Sequence, residues 1–172
     1  MLNKRCSIED LNYYDSCTSE QNRWNSNKSN MMYEYTDDGM CFYAPTNDLS
    51  DNILTAKYNL PDNYEAEFTY MGGSRYQISM YFSDSFIQTN NGTSSYTISP
   101  HYGGSNVNIN RSISIGDVFK IVKQENSITY YQNDVQVYTG TLTSPNNELR
   151  RYSWSNKSAR YTFIKDIKIK SL

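Results

Sequence analysis

Apolar and polar residues alternate with a period of two along most of this chain, and no apolar stripe of helical spacing runs longer than two turns. Within 64–71, Tyr64, Ala66, Phe68 and Tyr70 take one parity and Glu65, Glu67 and Thr69 the other. Within 75–82, Tyr76, Ile78, Met80 and Phe82 oppose Gln77, Ser79 and Tyr81. Tyr96, Ile98 and Pro100 then oppose Thr97, Ser99 and His101, and Val107 and Ile109 oppose Asn106, Asn108 and Asn110. Such alternation predicts strands that bury one face and wet the other, so the first set of each stretch is the expected core. Further strands are predicted over 31–36, 40–44, 52–60, 118–124, 128–132, 135–142, 150–155 and 160–170. Turn chemistry separates them: Asp37-Asp38-Gly39, Pro61, Glu125-Asn126, Asn133-Asp134 and Pro145-Asn146-Asn147. Residues 7–24 read as irregular. Many short strands at regular spacing give an all-β antiparallel sandwich, jelly roll or barrel. No repeat of fixed period marks a propeller or β-helix. The 172 residues suit one domain, residues 1–172, with 1–29 as an irregular segment packed on it.

Composition narrows the function classes. The formal net charge is −2, with acidic and basic residues interspersed, so no basic stripe exists to neutralise phosphates and nucleic acid is not an expected partner. The first ten residues carry charge with no apolar run behind them, so neither a retained secretory signal nor membrane insertion is expected. Cys6, Cys17 and Cys41 match no zinc spacing beside the single histidine, His101, and reduced thiols are the default reading. Tyrosine is the anomaly: 17 residues, against 6 Phe and 2 Trp. Tyrosine suits strands and joins an apolar ring to a polar hydroxyl, so these rings either cover half-buried sheet surface or stack on a ligand.

The order Gly116-Asp117-Val118-Phe119-Lys120-Ile121, then Ile128 to Gln132, an Asn133-Asp134 turn, and Val135 to Tyr138 carries a recognisable pattern. With Tyr64-Glu65-Ala66-Glu67-Phe68 and the closing Ile164-Lys165-Asp166-Ile167-Lys168-Ile169, it resembles the concanavalin A-like lectin and glucanase (laminin G-like) superfamily over 30–172. Asp134 stands where that hairpin usually has glycine, a departure that a left-handed Asp tolerates. The resemblance implies a two-sheet jelly roll. It directs attention to glycan and surface recognition by analogy with lectins, binding modules, glucanases and domains of phage tails and microbial surfaces.

Hydrolysis of glycosides needs two carboxylates flanking the bond. The superfamily's glucanases use a Glu-x-Asp-x-(x)-Glu strand; Glu65-Ala66-Glu67 lacks the Asp and the second Glu, so the chain is expected not to be an enzyme. His101 has no nucleophile elbow to serve, and Gly72-Gly73 and Gly103-Gly104 precede strands rather than helices. The resemblance also implies a structural Ca²⁺ on the closing-strand carboxylate, here Asp166, although Lys165 and Lys168 offer it plain ion pairs. For glycans, exposed rings beside planar polar groups are wanted, which singles out Tyr81, His101, Tyr102 and Trp154 with Arg75, Gln77 and Asn108. The expectation is a non-catalytic module binding a cell-surface glycan or other host-surface ligand. Its setting would be a phage virion or microbial surface protein, assembled in the cytoplasm, as a homo-oligomer or part of a larger particle. A purely structural assembly domain and a divergent glycoside hydrolase are the alternatives.

Overall fold

The computed structural model describes residues 24–25, 32–36, 39–44, 53–56, 59–73, 79–89, 94–100, 104–152 and 160–172, and the structural statements below concern these. Fourteen strands are present among them: β1 (Trp24–Asn25), β2 (Met32–Thr36), β3 (Gly39–Ala44), β4 (Ile53–Ala56), β5 (Tyr64–Gly73), β6 (Ser79–Phe82), β7 (Ser85–Thr89), β8 (Tyr96–Ser99), β9 (Val107–Ile109), β10 (Val118–Gln124), β11 (Ser127–Gln132), β12 (Val135–Thr141), β13 (Leu149–Tyr152) and β14 (Arg160–Ser171). They form two seven-stranded antiparallel sheets, ordered β1-β4-β13-β6-β7-β8-β9 and β12-β11-β10-β5-β14-β3-β2. The expected all-β sandwich is what the chain builds.

Parity decides the inner faces. Tyr64, Ala66, Phe68 and Tyr70 of β5 are buried, as are Phe119 and Ile121 of β10, Ile128 and Tyr130 of β11, and Ile167 and Ile169 of β14. The first sheet answers with Met80, Phe82, Ile87, Tyr96 and Ile98. Phe68 stacks on Phe82 across the core at 6.2 Å and on Phe119 of the neighbouring strand at 5.3 Å, and Tyr96 meets Phe119 edge-on at 5.6 Å. These are the offset and edge geometries that aromatic quadrupoles favour.

Three of the largest fully buried side chains are tyrosines, Tyr64, Tyr96 and Tyr130. A buried hydroxyl without a partner costs on the order of 1–3 kcal/mol, and each of the three finds one on the opposite sheet. Tyr64 donates to Ser83 Oγ (3.1 Å) and Tyr130 to Ser85 Oγ (3.0 Å), while Tyr96 of the first sheet donates to Gln132 Oε1 (3.0 Å). The Ser85 hydroxyl in turn donates to the Ser99 carbonyl at 2.7 Å. Burial pushes all three hydroxyls well above the ordinary tyrosine range, so they stay protonated donors.

Two tight turns set these partners in place. Ser83 and Asp84 (φ 52° and 76°) and Asn133 and Asp134 (φ 50° and 60°) have positive φ at both central positions, the type I′ geometry whose twist matches a hairpin. Asp134 therefore adopts the left-handed conformation expected of it. Asp117 organises the second hairpin from outside: it accepts from Asn133 Nδ2 (2.8 Å), Gln132 Nε2 (2.7 Å) and the Ser114 N–H (2.9 Å). Burial alone would raise this carboxyl, but those hydrogen bonds and the nearby Arg111 outweigh it and hold it below the usual range.

Two strands depart from the sequence reading. β7 was not predicted, because Phe86 and Ile87 are adjacent apolar residues on opposite faces and leave no alternation to detect. β1 lies in the stretch read as irregular, and the pairing of Trp24 with Ala56 is what makes it a strand. Cys6 and Cys17 lie outside the described residues, while Cys41 sits on β3.

Two substitutions test the polar core. Tyr96→Phe removes the donor to Gln132 Oε1 and is expected to cost about 1–3 kcal/mol in urea denaturation; an unchanged midpoint would show that the bond contributes nothing. Asp117→Asn should destabilise at neutral pH. A carboxyl lowered in the folded state stabilises above its unfolded pKa, so the gap from wild type should close as the pH falls below about 4. A gap that is independent of pH would contradict this account.

Candidate functional site

The outer face of the first sheet is continuous across β13, β6, β7, β8 and β9. Register places Arg150 beside Tyr81, Tyr81 beside Phe86, and Phe86 beside Ser99. One row along, Ser79, Gln88, Thr97 and Asn108 are cross-strand neighbours. The described non-core positions of those stretches, Ser79, Tyr81, Thr97, Ser99 and Asn108, therefore share one surface, a point that needed the sheet order.

The centre of this surface is packed. Tyr81 is 6% exposed, its ring 5.3 Å from Phe86 on one side, with the Arg150 guanidinium 5.1 Å from its centroid on the other. The expectation of a solvent-exposed stacking ring at Tyr81 is corrected here: cross-strand neighbours on both sides cover it. Thr97 and Ser99 are buried on the same face. Asn108 is exposed on the edge strand β9, where its Nδ2 donates to Asn110 Oδ1 at 3.0 Å, and Gln88 is half-buried.

Arg150 closes the end of this face. Its Nη2 lies 2.8 Å from Asp84 Oδ1, and its Nε lies 3.3 Å from Glu148 Oε2. The second contact is a charge pairing without hydrogen-bond alignment, since buried Nε makes no hydrogen bond. Asp84 is presented by the Ser83-Asp84 turn and Glu148 by the chain entering β13, whose carbonyl accepts from the Ser83 N–H at 3.1 Å. The local sequence flags neither Arg150, Asp84 nor Gln88, because a clamp between a turn and a distant strand leaves no periodic trace, and Gln88 lies on the unpredicted β7.

The outer face of the second sheet is different in kind. Glu65 and Glu67 of β5 face Lys170 and Lys168 of β14 on one side and Val122 and Lys120 of β10 on the other. Lys168 Nζ is 3.5 Å from Glu67, and Lys120 pairs with Asp134 at 2.7 Å beneath the Tyr131 ring. Opposite charges directly across strands stabilise a sheet, and the Glu65-Ala66-Glu67 segment serves that ladder.

Arg75, Gln77, His101, Tyr102 and Trp154 lie outside the described residues. Asp166 lies on β14 where the register with β5 shifts between Lys165 and Lys168. Among the described residues no three His, Cys, Asp or Glu side chains gather to hold a metal.

No protein-family model matches the chain, and no curated protein matches its sequence. Solved structures match its shape. A Crh5 transglycosylase in complex with NAG superposes with a TM-score of 0.64 at 13% identity, over 87% of this chain and 78% of that one. The β-glucanase of Bacillus licheniformis gives 0.57 at 11% identity, over 81% and 82%. The fold is the two-sheet jelly roll of these structures. The carbohydrate-binding module CBM66 from Bacillus subtilis has a TM-score of 0.54 at 13% identity, over 87% of this jelly roll and 96% of the module. At such identity the likeness carries architecture and no residue roles.

Tyr81→Ala is expected to lower the stability of the jelly roll by about 3 kcal/mol, the cost of deleting a buried aromatic ring, measured by chemical denaturation. A denaturation midpoint equal to wild type would place the ring in solvent and restore it as a stacking platform.

Proposed function

We propose that this jelly roll is a non-catalytic carbohydrate-recognition module, with its ligand surface on the outer face of the first sheet. The observation that carries the reading is the contrast between the two outer faces. The row from Gln88 through Thr97 to Asn108 holds amides and a hydroxyl without charge, whereas the opposite face sets Glu67 between Lys168 and Lys120 and Glu65 across from Lys170. Solubility alone would be served by charges on both faces. Amides and hydroxyls instead match the hydroxyls of a saccharide, which both donate and accept. The solved structures named for carbohydrate binding and for transglycosylase and glucanase activity support glycans as the ligand class for this fold.

The non-catalytic part rests on the carboxylates. Glycosidic cleavage asks for an acid and a base or nucleophile facing one bond. Among the described residues, Asp84 and Glu148 flank Arg150, and Glu67 is paired with Lys168. A phage virion or microbial surface protein is the setting proposed for such a module, on the resemblance of its motifs.

A glycan array with the full chain tests the reading. Binding to neutral or complex glycans is expected, weakened by about tenfold or more in Gln88→Ala and Asn108→Ala, as for polar groups central to a contact surface. Absence of binding to every glycan would overturn it, and release of reducing ends from labelled polysaccharide would overturn its non-catalytic part.

A further inference from the structure

At the end of the sandwich where β10 turns into β11, the inner face of β10 closes on a lysine. Phe119, Ile121 and Lys123 share the core parity, and Lys123 is only 4% exposed. A lysine at such a position runs its stem along the core and must bring its ammonium out at the mouth. Its Nζ hydrogen-bonds the Asp62 carbonyl, which is its one partner among the described residues. Burial pulls the ammonium below the ordinary lysine range, with the Asp62 charge opposing that shift. An open cleft of about 540 Å³ lies against it, within the size range of small-molecule sites.

The cleft wall is built of asparagines whose orientation the backbone dictates. Asn63 Oδ1 accepts from the Glu125 N–H (2.6 Å) and Asn146 Oδ1 from the Glu148 N–H (3.0 Å). An N–H can only be met by the oxygen end of an amide, so in both residues the NH₂ group remains as a donor. Asn147 is held the other way round: its Nδ2 donates to Asp62 Oδ1 (2.8 Å), leaving its own oxygen as an acceptor. Backbone bonds from Leu60 N to Asn147 O (2.7 Å) and from Leu172 N to Asn63 O (3.1 Å) fix these loops to one another. The cleft thus offers donors on Asn63, Asn146 and Lys123 beside acceptors on Asn147 and Asp62.

Charge selects the ligand. An anion entering the cleft would meet Asp62 and Glu125, and a metal ion would meet the Lys123 ammonium; a neutral group that donates and accepts meets neither penalty. Adjacent hydroxyls on a sugar ring have that character. We propose that this cleft is a second carbohydrate site, binding vicinal hydroxyls of a neutral saccharide, distinct from the outer face of the first sheet and resting on the reading of the domain as a glycan binder.

The test is a titration of the ¹⁵N-labelled full chain, followed through side-chain amide signals, with methyl glycosides of glucose, galactose, mannose and xylose. Methyl glucuronoside, sodium sulfate and calcium chloride are run in parallel. Neutral glycosides are expected to shift the NH₂ signals of Asn63 and Asn146. Asn63→Asp and Asn146→Asp keep the acceptor for the backbone N–H but remove the donor, and each is expected to weaken that response about tenfold with the fold intact. Shifts produced only by glucuronoside, sulfate or calcium would overturn the proposal. So would neutral glycosides that move the Gln88 and Asn108 signals and leave the cleft silent, in which case the outer-face reading survives alone. No response at either place, with no glycan bound on the array, would remove both.

Discussion

The structure depends on the need of a buried tyrosine hydroxyl for a partner. A core of phenylalanine and leucine would fix one sheet on the other by shape alone, because apolar contact has no partner atoms to match. Tyr64, Tyr96 and Tyr130 add a directional constraint, since each hydroxyl reaches a specific acceptor on the facing sheet. The partners are themselves held: Ser83 and Ser85 by the Ser83-Asp84 turn, and Gln132 by the Ser112 carbonyl and the Asp117 carboxylate. Leaving any of these polar groups unmatched in a dry core would cost more than the bond itself contributes, so satisfied networks specify one packing.

The same turns then shape the surface. The residue between Ser83 and Ser85 is Asp84, and the geometry that aims those two serines into the core aims Asp84 toward Arg150 on β13. Arg150 lies over Tyr81 and ties the turn to the chain segment before β13. That segment, through Asn146 and Asn147, also forms the wall of the Lys123 cleft. Core, outer face and cleft meet at one end of the sandwich, and the loops there are fixed by hydrogen bonds more than by burial. Loops positioned by a rigid scaffold are where binding groups concentrate in such folds.

The outer faces also differ in how they are stabilised. The second sheet sets Glu67 between Lys168 and Lys120 and places Lys170 across from Glu65, an arrangement that stabilises the sheet and pairs Glu67 with Lys168. The first sheet relies on ring packing, with Tyr81 between Phe86 and Arg150, and carries uncharged polar groups toward the β9 edge. A carboxylate pair at alternate positions of one strand suggests an acid–base couple only while its cross-strand neighbours are unknown.

Much of the fold was legible along the chain because strand parity is a local property. Side chains point alternately to opposite faces whatever the rest of the molecule does, so Tyr64, Ala66, Phe68, Tyr70, Met80, Phe82, Tyr96 and Ile98 could be assigned to the core and are buried, while Val107, assigned there by the same parity, is exposed on the edge strand β9. The Asn133-Asp134 hairpin was legible for the same reason, since turn chemistry acts within four residues. Parity separates two faces but says nothing of what stands beside a residue on its own face. Tyr81 was placed correctly off the core and wrongly in solvent, because Phe86 and Arg150 come from strands whose adjacency only the sheet order reveals. Lys123 carried a local sign, a lysine at a core position after Phe119 and Ile121, yet its meaning lies in loops 60 residues upstream and some 20 downstream. The sequence by itself determined which face each strand residue takes and where the chain turns. The tertiary structure decided which of those residues meet, because neighbours on one face come from strands far apart in sequence, and no local pattern encodes which strands pair.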